Sequence, residues 1–404
     1  MTTNPSPSKP SSPSSSSSSF SPSQIEASRK RVLEVYNRIN SVVIGHEETT
    51  KAILVAAVAR EHVAVIGPPG TAKSYTVHAF ARLLNASFYQ YLLTRFTTYD
   101  ELFGPVDIIS MTRGEYKRNW SKIVSADFIF LDEIFKANSA ILNSLLSLMQ
   151  ERVVYDPFLG APIQARLVSL IGASNETPED PELAAIYDRF SVRVFIDYLN
   201  DDAAFLRALQ SRWLNNNNLS PVATLDDINT LSNYSAEIMR SSIRGIGEVL
   251  KLYHLNVVSL AKSLRARGII VSDRTIIEKL PKIFSAYLAI YGVTVDNIMY
   301  APYELMTWIA RNKSELNDIK KALDESLAEV AELAKKLEKA KEMLRAMNLA
   351  AAKKEINDIL AFDMSKLASK PWLKPKAEAI ISTAKDYLRY IAEFEERLSK
   401  LAEG

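Results

Sequence analysis

The spacing of apolar residues changes character along the chain, and each change marks a different kind of structure. Residues 1–24 carry almost none: twelve are Ser and five are Pro. Such a stretch cannot bury enough surface to offset the entropy of ordering, so a disordered tail is expected. From 25 to 199 two periods alternate. Val32, Val35, Tyr36 and Ile39 recur at helical spacing, and short apolar runs follow at 63–66, 88–93 ("FYQYLL"), 127–133 ("DFIFLDE"), 166–174 ("RLVSLIGAS") and 192–196 ("VRVFI"). Helix-period segments such as 138–152 separate most of them. Short apolar strands alternating with helices predict an α/β core: a parallel sheet with helices on both faces. Residues 200–312 read as all helix, broken by the turn-like "NNNNLSP" at 215–221.

Residues 313–404 change period again. Leu316, Ile319, Leu323, Val330, Leu333, Leu337, Leu344 and Met347 follow a 3–4 spacing, with Ser326 and Ala340 in the remaining seam positions. After Pro371 and Pro375 the series Ile380, Ala384, Tyr387, Ile391, Phe394, Leu398, Leu401 does the same, and no glycine interrupts Gly292 to Gly404. Two long helices with heptad seams predict an α-helical coiled-coil hairpin arm, joined by a short helical connector around 354–370. At 1.5 Å per residue the first helix would reach about 50 Å. Its 18 basic and 17 acidic residues make the arm a mixed-charge solvated structure, not a nucleic-acid clamp.

Composition narrows the chemistry. The 49 basic against 47 acidic residues leave a net charge of +2, so no broad polyanion-binding surface is implied. Cysteine is absent, which excludes disulfides and thiolate metal sites. His46, His62, His78 and His254 have no metal-ligand spacing and read as helix-face or surface residues. No apolar run reaches the roughly 18 residues needed to span a bilayer. The first residues lack the apolar segment of a signal peptide, so a soluble cytoplasmic protein is expected.

Two motifs carry the chemistry. The run "VAVIGPPGTAKSYTV" (63–77) is close to the phosphate-loop pattern G-x-x-x-x-G-K-[ST], with Ala72 in place of the second motif glycine. In such a loop Gly67 and Gly70 give the tight turn and close backbone approach, and backbone N–H groups wrap phosphates at a helix N-terminus. Lys73 reaches the β- and γ-phosphates and the Ser74 hydroxyl binds Mg²⁺. An alanine methyl at 72 fits if φ there is negative. The second motif, "FIFLDE", is an apolar strand ending in Asp132 and Glu133. At the end of a buried strand one carboxylate can hold the magnesium shell and the next can act as general base on a water.

With further segments in the same order, these motifs resemble the AAA+ ATPases, and within them the MoxR group and its RavA-like branch. The likeness covers about residues 32–310. It includes "VIGHEETTKAI", "GPPGTAKS", "TRFTTYDELFGPVD" (94–107), "FLDEIFKANSAILNSLLSLMQER" (130–152), "GASNE" (172–176), "AIYDRFSVRVFID" (185–197) and "VSDRT" (271–275). It implies an AAA+ P-loop core at 25–199 and an all-α lid at 200–312. It also implies ATP as substrate with Mg²⁺, held by Ile44, Gly45 and the loop Gly67, Pro68, Pro69, Gly70, Thr71, Ala72, Lys73, Ser74 and Tyr75, with Ser74 and Asp132 toward the metal. Glu133 is implied as the catalytic base and Asn175 as the sensor that orients water, although position alone also allows Asn175 a local cap. Arg189 resembles the arginine finger that reaches a neighbouring subunit. Arg193 could support it or form a surface ion pair. Arg274 resembles the second sensor, at the start of a lid helix capped by Asp273; Thr275 stands where many such proteins have another arginine.

Two insertions bear on clients. Residues 110–125, with Arg113-Gly114 near the tip, and 153–167 read as hairpins, and related motors point such elements toward the channel or axial face. Lys117, Arg118 and Trp120 fit either a client contact or an ordinary basic loop. The resemblance implies a homo-oligomeric ring, expected to be a hexamer, that remodels or helps to assemble protein complexes with a partner bearing a von Willebrand factor A domain. A nucleic-acid motor and a nucleotide-gated assembly scaffold are the alternatives. Near-neutral charge and the lack of a DNA-binding motif disfavour the first, and the intact Glu133, Asn175 and Arg189 set disfavours the second.

Overall fold

The computed structural model describes residues 21–402 except 157, 159, 179, 215–218 and 244–247. The Ser/Pro run 1–20 and the Asn run of the 215–221 turn lie outside the described residues. The chain is already helical before residue 24. Ser21 and Gln24 form a reciprocal capping box and Pro22 takes the first helical position, so α1 (Pro22–Val42) begins inside the stretch expected to be tail.

The core follows as α2 (Glu47–Ala59), β1 (Val63–Ile66), α3 (Lys73–Leu83), β2 (Phe88–Leu92), α4 (Tyr99–Phe103), α5 (Ile108–Thr112), β3 (Phe128–Asp132), α6 (Ser139–Glu151), β4 (Val153–Val154), β5 (Ile163–Gln164), β6 (Ser169–Ser174), α7 (Pro181–Tyr187) and β7 (Val192–Phe195). Five strands form a parallel sheet in the order β2-β3-β6-β1-β7. Both faces of β1 are covered, which is why its sequence is continuously apolar and not alternating. Val63 and Val65 pack with α1, α2 and α3, while Ala64 and Ile66 pack with α6 and α7 on the other side. Chain order jumps at β1, between β6 and β7, and the carboxyl ends of strands at such a crossing are where open α/β sheets bind ligands.

The insertions differ from each other. β4 and β5 pair antiparallel as the expected hairpin. Residues 106–118 close instead through the single bridge Val106–Arg118, with the short helix α5 and a turn at Gly114 (φ 75°) at the tip. The Arg118 side chain is not presented at the surface. Its buried guanidinium bonds Asp156 and Asp100, each at 2.5 Å, together with the Gly104 carbonyl, and lies 4.9 Å over the Tyr99 ring. It clasps the two insertions together.

Helices α8 (Asp202–Leu214), α9 (Leu225–Ile243), α10 (Glu248–Ala266), α11 (Leu280–Tyr291) and α12 (Val295–Thr307) form the second unit. Residues 283–290 of α11 are all buried, and they share one core with α1 and α2. Arg31 of α1 also pairs with Asp227 of α9 at 2.6 Å. No helix among the described residues is long and apolar enough to cross a membrane.

The C-terminal region departs from a two-helix hairpin. α13 (Lys313–Arg345) and α15 (Lys374–Ala402) are long, but α14 (Leu349–Leu360) packs against both. Ala352, Ile356 and Ile359 of α14 join Val330, Leu333 and Leu337 of α13 and Ala377, Ile380 and Ile391 of α15 in one three-helix core. Met347, assigned to the seam, is 63% exposed beyond the end of α13. The first turns of α13 do not project either. Ile319, Ala322 and Leu323 lie in the core shared with α1, α2 and α11, and Trp372 Nε1 donates to the Tyr303 hydroxyl of α12 at 3.1 Å. A boundary at 312 therefore cuts through a core. Ile319→Ala should cost about 2–5 kcal/mol, and truncation after Asn312 should lower the melting temperature of the remaining chain sharply. Circular dichroism melts showing an unchanged transition would contradict this packing.

Candidate active site

The loop after β1 is shaped by what crowds it. A Cβ on Gly67 would stand 2.4 Å from the Ile196 carbonyl oxygen, so only glycine lets the chain cross the end of β7. The Gly67 N–H donates to Ser174 O at 3.1 Å, tying the loop to the end of β6. Gly70 has φ +80°. Ala72 does not meet the expectation of a negative φ: it sits at φ 62°, ψ 22° as the residue before α3. That left-handed conformation costs an L-residue about 1–2 kcal/mol. Its carbonyl nevertheless receives both the Thr76 N–H and the Thr76 hydroxyl, each at 3.0 Å.

Lys73 opens α3 with its side chain turned back under the loop. Its Nζ donates to the carbonyls of Gly67 (2.6 Å) and Pro68 (2.9 Å) and to Asn175 Oδ1 (3.2 Å). Burial pushes its pKa below the usual lysine value, against the pull of Asp132 and Glu133. The other face of the Asn175 amide donates from Nδ2 to Glu133 Oε1 at 2.6 Å. One amide thus joins the ammonium to the carboxylate. Ser74 Oγ donates to Asp132 Oδ2 at 3.3 Å, and Asp132 Oδ1 accepts the Glu133 N–H at 3.0 Å. Glu133 is itself left-handed, at φ 52°. Lys73, Ser74, Asp132, Glu133 and Asn175, from three strand ends, form one connected group.

Beside the loop opens a largely apolar cleft of about 480 Å³. The sequence-assigned Ile44, Gly45, Gly70, Thr71, Ala72 and Tyr75 line it, as do Tyr198, Leu199 and Phe205, which sequence reasoning missed. A Cβ on Gly45 would meet Leu199 Cδ2 at 2.5 Å. Nothing in 198–205 marks those residues beforehand; chain direction after β7 brings them there. His46 and His62, read from the sequence as helix-face or surface residues, are both buried. His46 lies in the cleft wall with Nδ1 2.9 Å from Thr76 Oγ1, and burial lowers its pKa.

The arginines stand elsewhere. Arg189 and Arg274 face a separate pocket of about 310 Å³ between core and helical unit, with Arg193, Lys279 and Arg311 beside them and Asp188 as its acid. Burial, aided by Arg193, pulls Lys279 down to about 8. Arg193 forms an ion pair with the half-exposed Asp188 at 3.3 Å, but not from the surface. It is buried, donating to Ile309 O (2.8 Å) and Tyr187 O (3.2 Å) with its guanidinium 4.5 Å over the Tyr187 ring. Asp273 is not the cap: Ser272 Oγ accepts the Thr275 N–H at 3.2 Å, and Asp273 pairs with Arg265 at 2.6 Å.

Residues 30–233 match the MoxR domain in the MoxR-vWA-beta-propeller ternary systems, which is half of the chain. The chain belongs to the MoxR family of AAA+ ATPases. Two uncharacterised proteins of Methanocaldococcus jannaschii are 33% and 42% identical over 246 and 163 residues, covering 60% and 40% of this MoxR chain and 61% and 42% of their own lengths. "Chaperone MoxR1" of Mycobacterium tuberculosis is 29% identical over 29% of the chain and 30% of its own length. The chain thus spans less than two thirds of the curated relatives it matches. A crystal structure of a candidate ATPase from Cytophaga hutchinsonii shares the fold, with a TM-score of 0.55 at 20% identity, covering 70% of this chain and 88% of that one.

Because Ala72 bears a methyl in left-handed backbone, Ala72→Gly should relieve strain of about 1–2 kcal/mol, less the roughly 0.4–1 kcal/mol by which glycine loosens the unfolded chain. Denaturant titration should show a variant as stable as the parent or slightly more so. A clear loss would mean that the methyl makes contacts outweighing the strain.

Proposed function

We propose that this MoxR protein is an ATP-hydrolysing machine that acts as a ring, expected to be hexameric, to remodel or help assemble other protein complexes. The observation that carries the hydrolytic reading is the Asn175 amide spanning Lys73 and Glu133. It sets the phosphate-binding cation and the base in fixed relation, as attack on a γ-phosphate requires.

The adenine of ATP would enter the apolar cleft beside Gly45 and Tyr75, and the phosphates would lie along Gly67–Ser74. Lys73 exchanges its loop carbonyls for β- and γ-phosphate oxygens. Glu133 accepts a proton from a water that attacks the γ-phosphorus, while the bond to the bridging oxygen breaks and ADP leaves with that electron pair. Asn175 keeps the carboxylate aimed. Among the described residues no group of three or more His, Cys, Asp or Glu could hold a metal alone. The adjacent hard oxygens of Ser74 and Asp132 suit Mg²⁺ completed by phosphate and water. They would hold that ion, whose charge offsets that of the phosphates.

Arg189 lines a pocket separate from the cleft beside its own loop, which supports a role at the site of a neighbouring copy, with Arg274 in the same pocket. The description of the matching family pairs the MoxR domain with a von Willebrand factor A domain, and one relative is named a chaperone; both support a protein partner and a protein client. The RavA-like placement rests on the motifs of the sequence alone.

Lys73→Ala should abolish nucleotide binding. Glu133→Gln should keep binding and lose turnover by roughly 10²- to 10⁴-fold; fluorescent-nucleotide titration and phosphate release read the two separately. Near-normal hydrolysis by Glu133→Gln would remove that residue from the chemistry. Rings mixed from Arg189→Ala and Lys73→Ala subunits should regain activity, because some interfaces then join an intact loop to an intact arginine, a contact worth about 10³-fold or more. Mixed rings that assemble without any recovery would place Arg189 inside one subunit.

A further inference from the structure

The pocket between core and helical unit gathers positive charge from both. Arg189 and Arg193 come from the core, Arg274 and Lys279 from the helical unit and Arg311 from the link to α13, while among the described residues its lining holds one carboxylate, that of Asp188. That carboxylate is already committed to Arg193 at 3.3 Å, and Arg274 shares an exposed pair with Glu278 at 3.1 Å. Arg193 is 6% exposed, and its Nε meets no hydrogen-bond partner among the described residues. Buried charge is stable only when paired, so a pocket this poor in carboxylate calls for an anion. The backbone is wound to bring two of the cations together. Thr275–Lys279 form one π-helical turn, closed by the bond from the Leu280 N–H to the Thr275 carbonyl. In an α-helix Arg274 and Lys279, five positions apart, would point about 140° away from each other. The wider i→i+5 turn brings them to one side, and both line the pocket. Such turns are rare and concentrate at functional sites. The Lys279 ammonium also donates to the carbonyl of Asp188, the residue before Arg189, which joins the helical unit to the turn that carries that arginine.

We infer that Lys279 is a further catalytic residue, reaching with Arg189 and Arg274 to the terminal phosphate of the nucleotide held by a neighbouring copy. The inference rests on the proposed role of Arg189 between subunits. The phosphate oxygens then replace the Asp188 carbonyl as acceptors of the ammonium, and its charge offsets that on the phosphoryl oxygens in the transition state. Burial and Arg193 hold the Lys279 pKa down at about 8, with Arg274 acting in the same direction and Glu61 and Asp188 opposing. The ammonium is therefore present below that value and lost as pH rises through it.

Steady-state ATPase kinetics on the assembled chain test this with Lys279→Met, which keeps the apolar stem and removes the charge, and with Lys279→Arg. Lys279→Met should lower kcat about 10²-fold and leave KM for ATP nearly unchanged, whereas Lys279→Arg should keep most of the rate. The parent's kcat/KM should fall as pH rises above about 8, and Lys279→Arg should hold its rate there. Lys279→Met subunits should be rescued by mixing with Lys73→Ala subunits, as Arg189→Ala subunits are. A Lys279→Met kcat close to the parent's overturns the inference. Equal losses in Lys279→Met and Lys279→Arg do the same, because they assign the side chain a packing task, and so does one pH profile shared by the parent and Lys279→Arg. Rescue of Arg189→Ala without rescue of Lys279→Met confines Lys279 to its own subunit and overturns this inference alone. Failure of both rescues in rings that assemble overturns the intersubunit reading itself, and this inference with it.

Discussion

A lysine ammonium buried at the tip of a parallel sheet must be surrounded by oxygen, and at Lys73 that demand is met because β1 and β6 end together. Two of its acceptors are carbonyls of its own loop, at Gly67 and Pro68, and the third is the Asn175 side chain at the end of β6. Once the Asn175 oxygen is committed to the ammonium, its N–H groups must point the other way, and there they meet Glu133. The carboxylate is thereby fixed by a bond whose orientation was decided two residues away in the chain of contacts. Charge-assisted bonds of this kind are among the stronger ones a protein makes, and a desolvated group left without them is expensive.

The same crowding explains why backbone strain gathers here. Ala72 and Glu133 both hold left-handed conformations that favour glycine or asparagine, and Gly67 has no room for a side chain at all. Conformations of this sort persist where the surroundings over-determine them. For Ala72 the constraint is the start of α3, with Thr76 bonded twice to its carbonyl. For Glu133 it is Asp132, which accepts its N–H, and the packing of Ile134 and Phe135 just beyond. The arginine-rich pocket lies at a different boundary, between the sheet and the helical unit. One chain therefore carries the loop and the arginines on separate faces, an arrangement that fits the proposed ring.

Much of this was legible in the residues. The five parallel strands and α6 fall where short apolar runs and helical periods predict them, and the central β1, covered on both faces, is apolar throughout, whereas the edge strand β2 is part-exposed and carries Gln90. The loop and the Asp132-Glu133 pair were legible because each is a pattern carried by a few consecutive residues. Ser21-Pro22-Ser23-Gln24 carried a capping signal that the serine-rich composition around it concealed. The φ of Ala72 was not legible, since an alanine states no preference strong enough to reveal that its neighbours force it.

Partners in contact were the part that only tertiary structure could decide. A 3–4 apolar spacing determines which face of a helix is buried, and the seam of α13 from Leu316 to Leu344, though not Met347, lies on that face. It does not say what covers the face, and the cover proved to be the core shared by α1, α2 and α11 for Ile319 and Leu323 and α14 as well as α15 for Val330 to Leu337. The same limit applies to charge: Arg118, Arg189 and Arg193 are alike in sequence, yet one clasps two insertions, one lines the pocket between core and helical unit and one is buried against Tyr187. By itself the sequence determined the local periods, the glycine-rich loop after β1 and the carboxylates at the end of β3, because those depend on neighbours within a few residues. The surroundings of each guanidinium, the strain at Ala72 and the depth of α13 depend on residues tens to hundreds of positions apart, and only the packed fold brings them together.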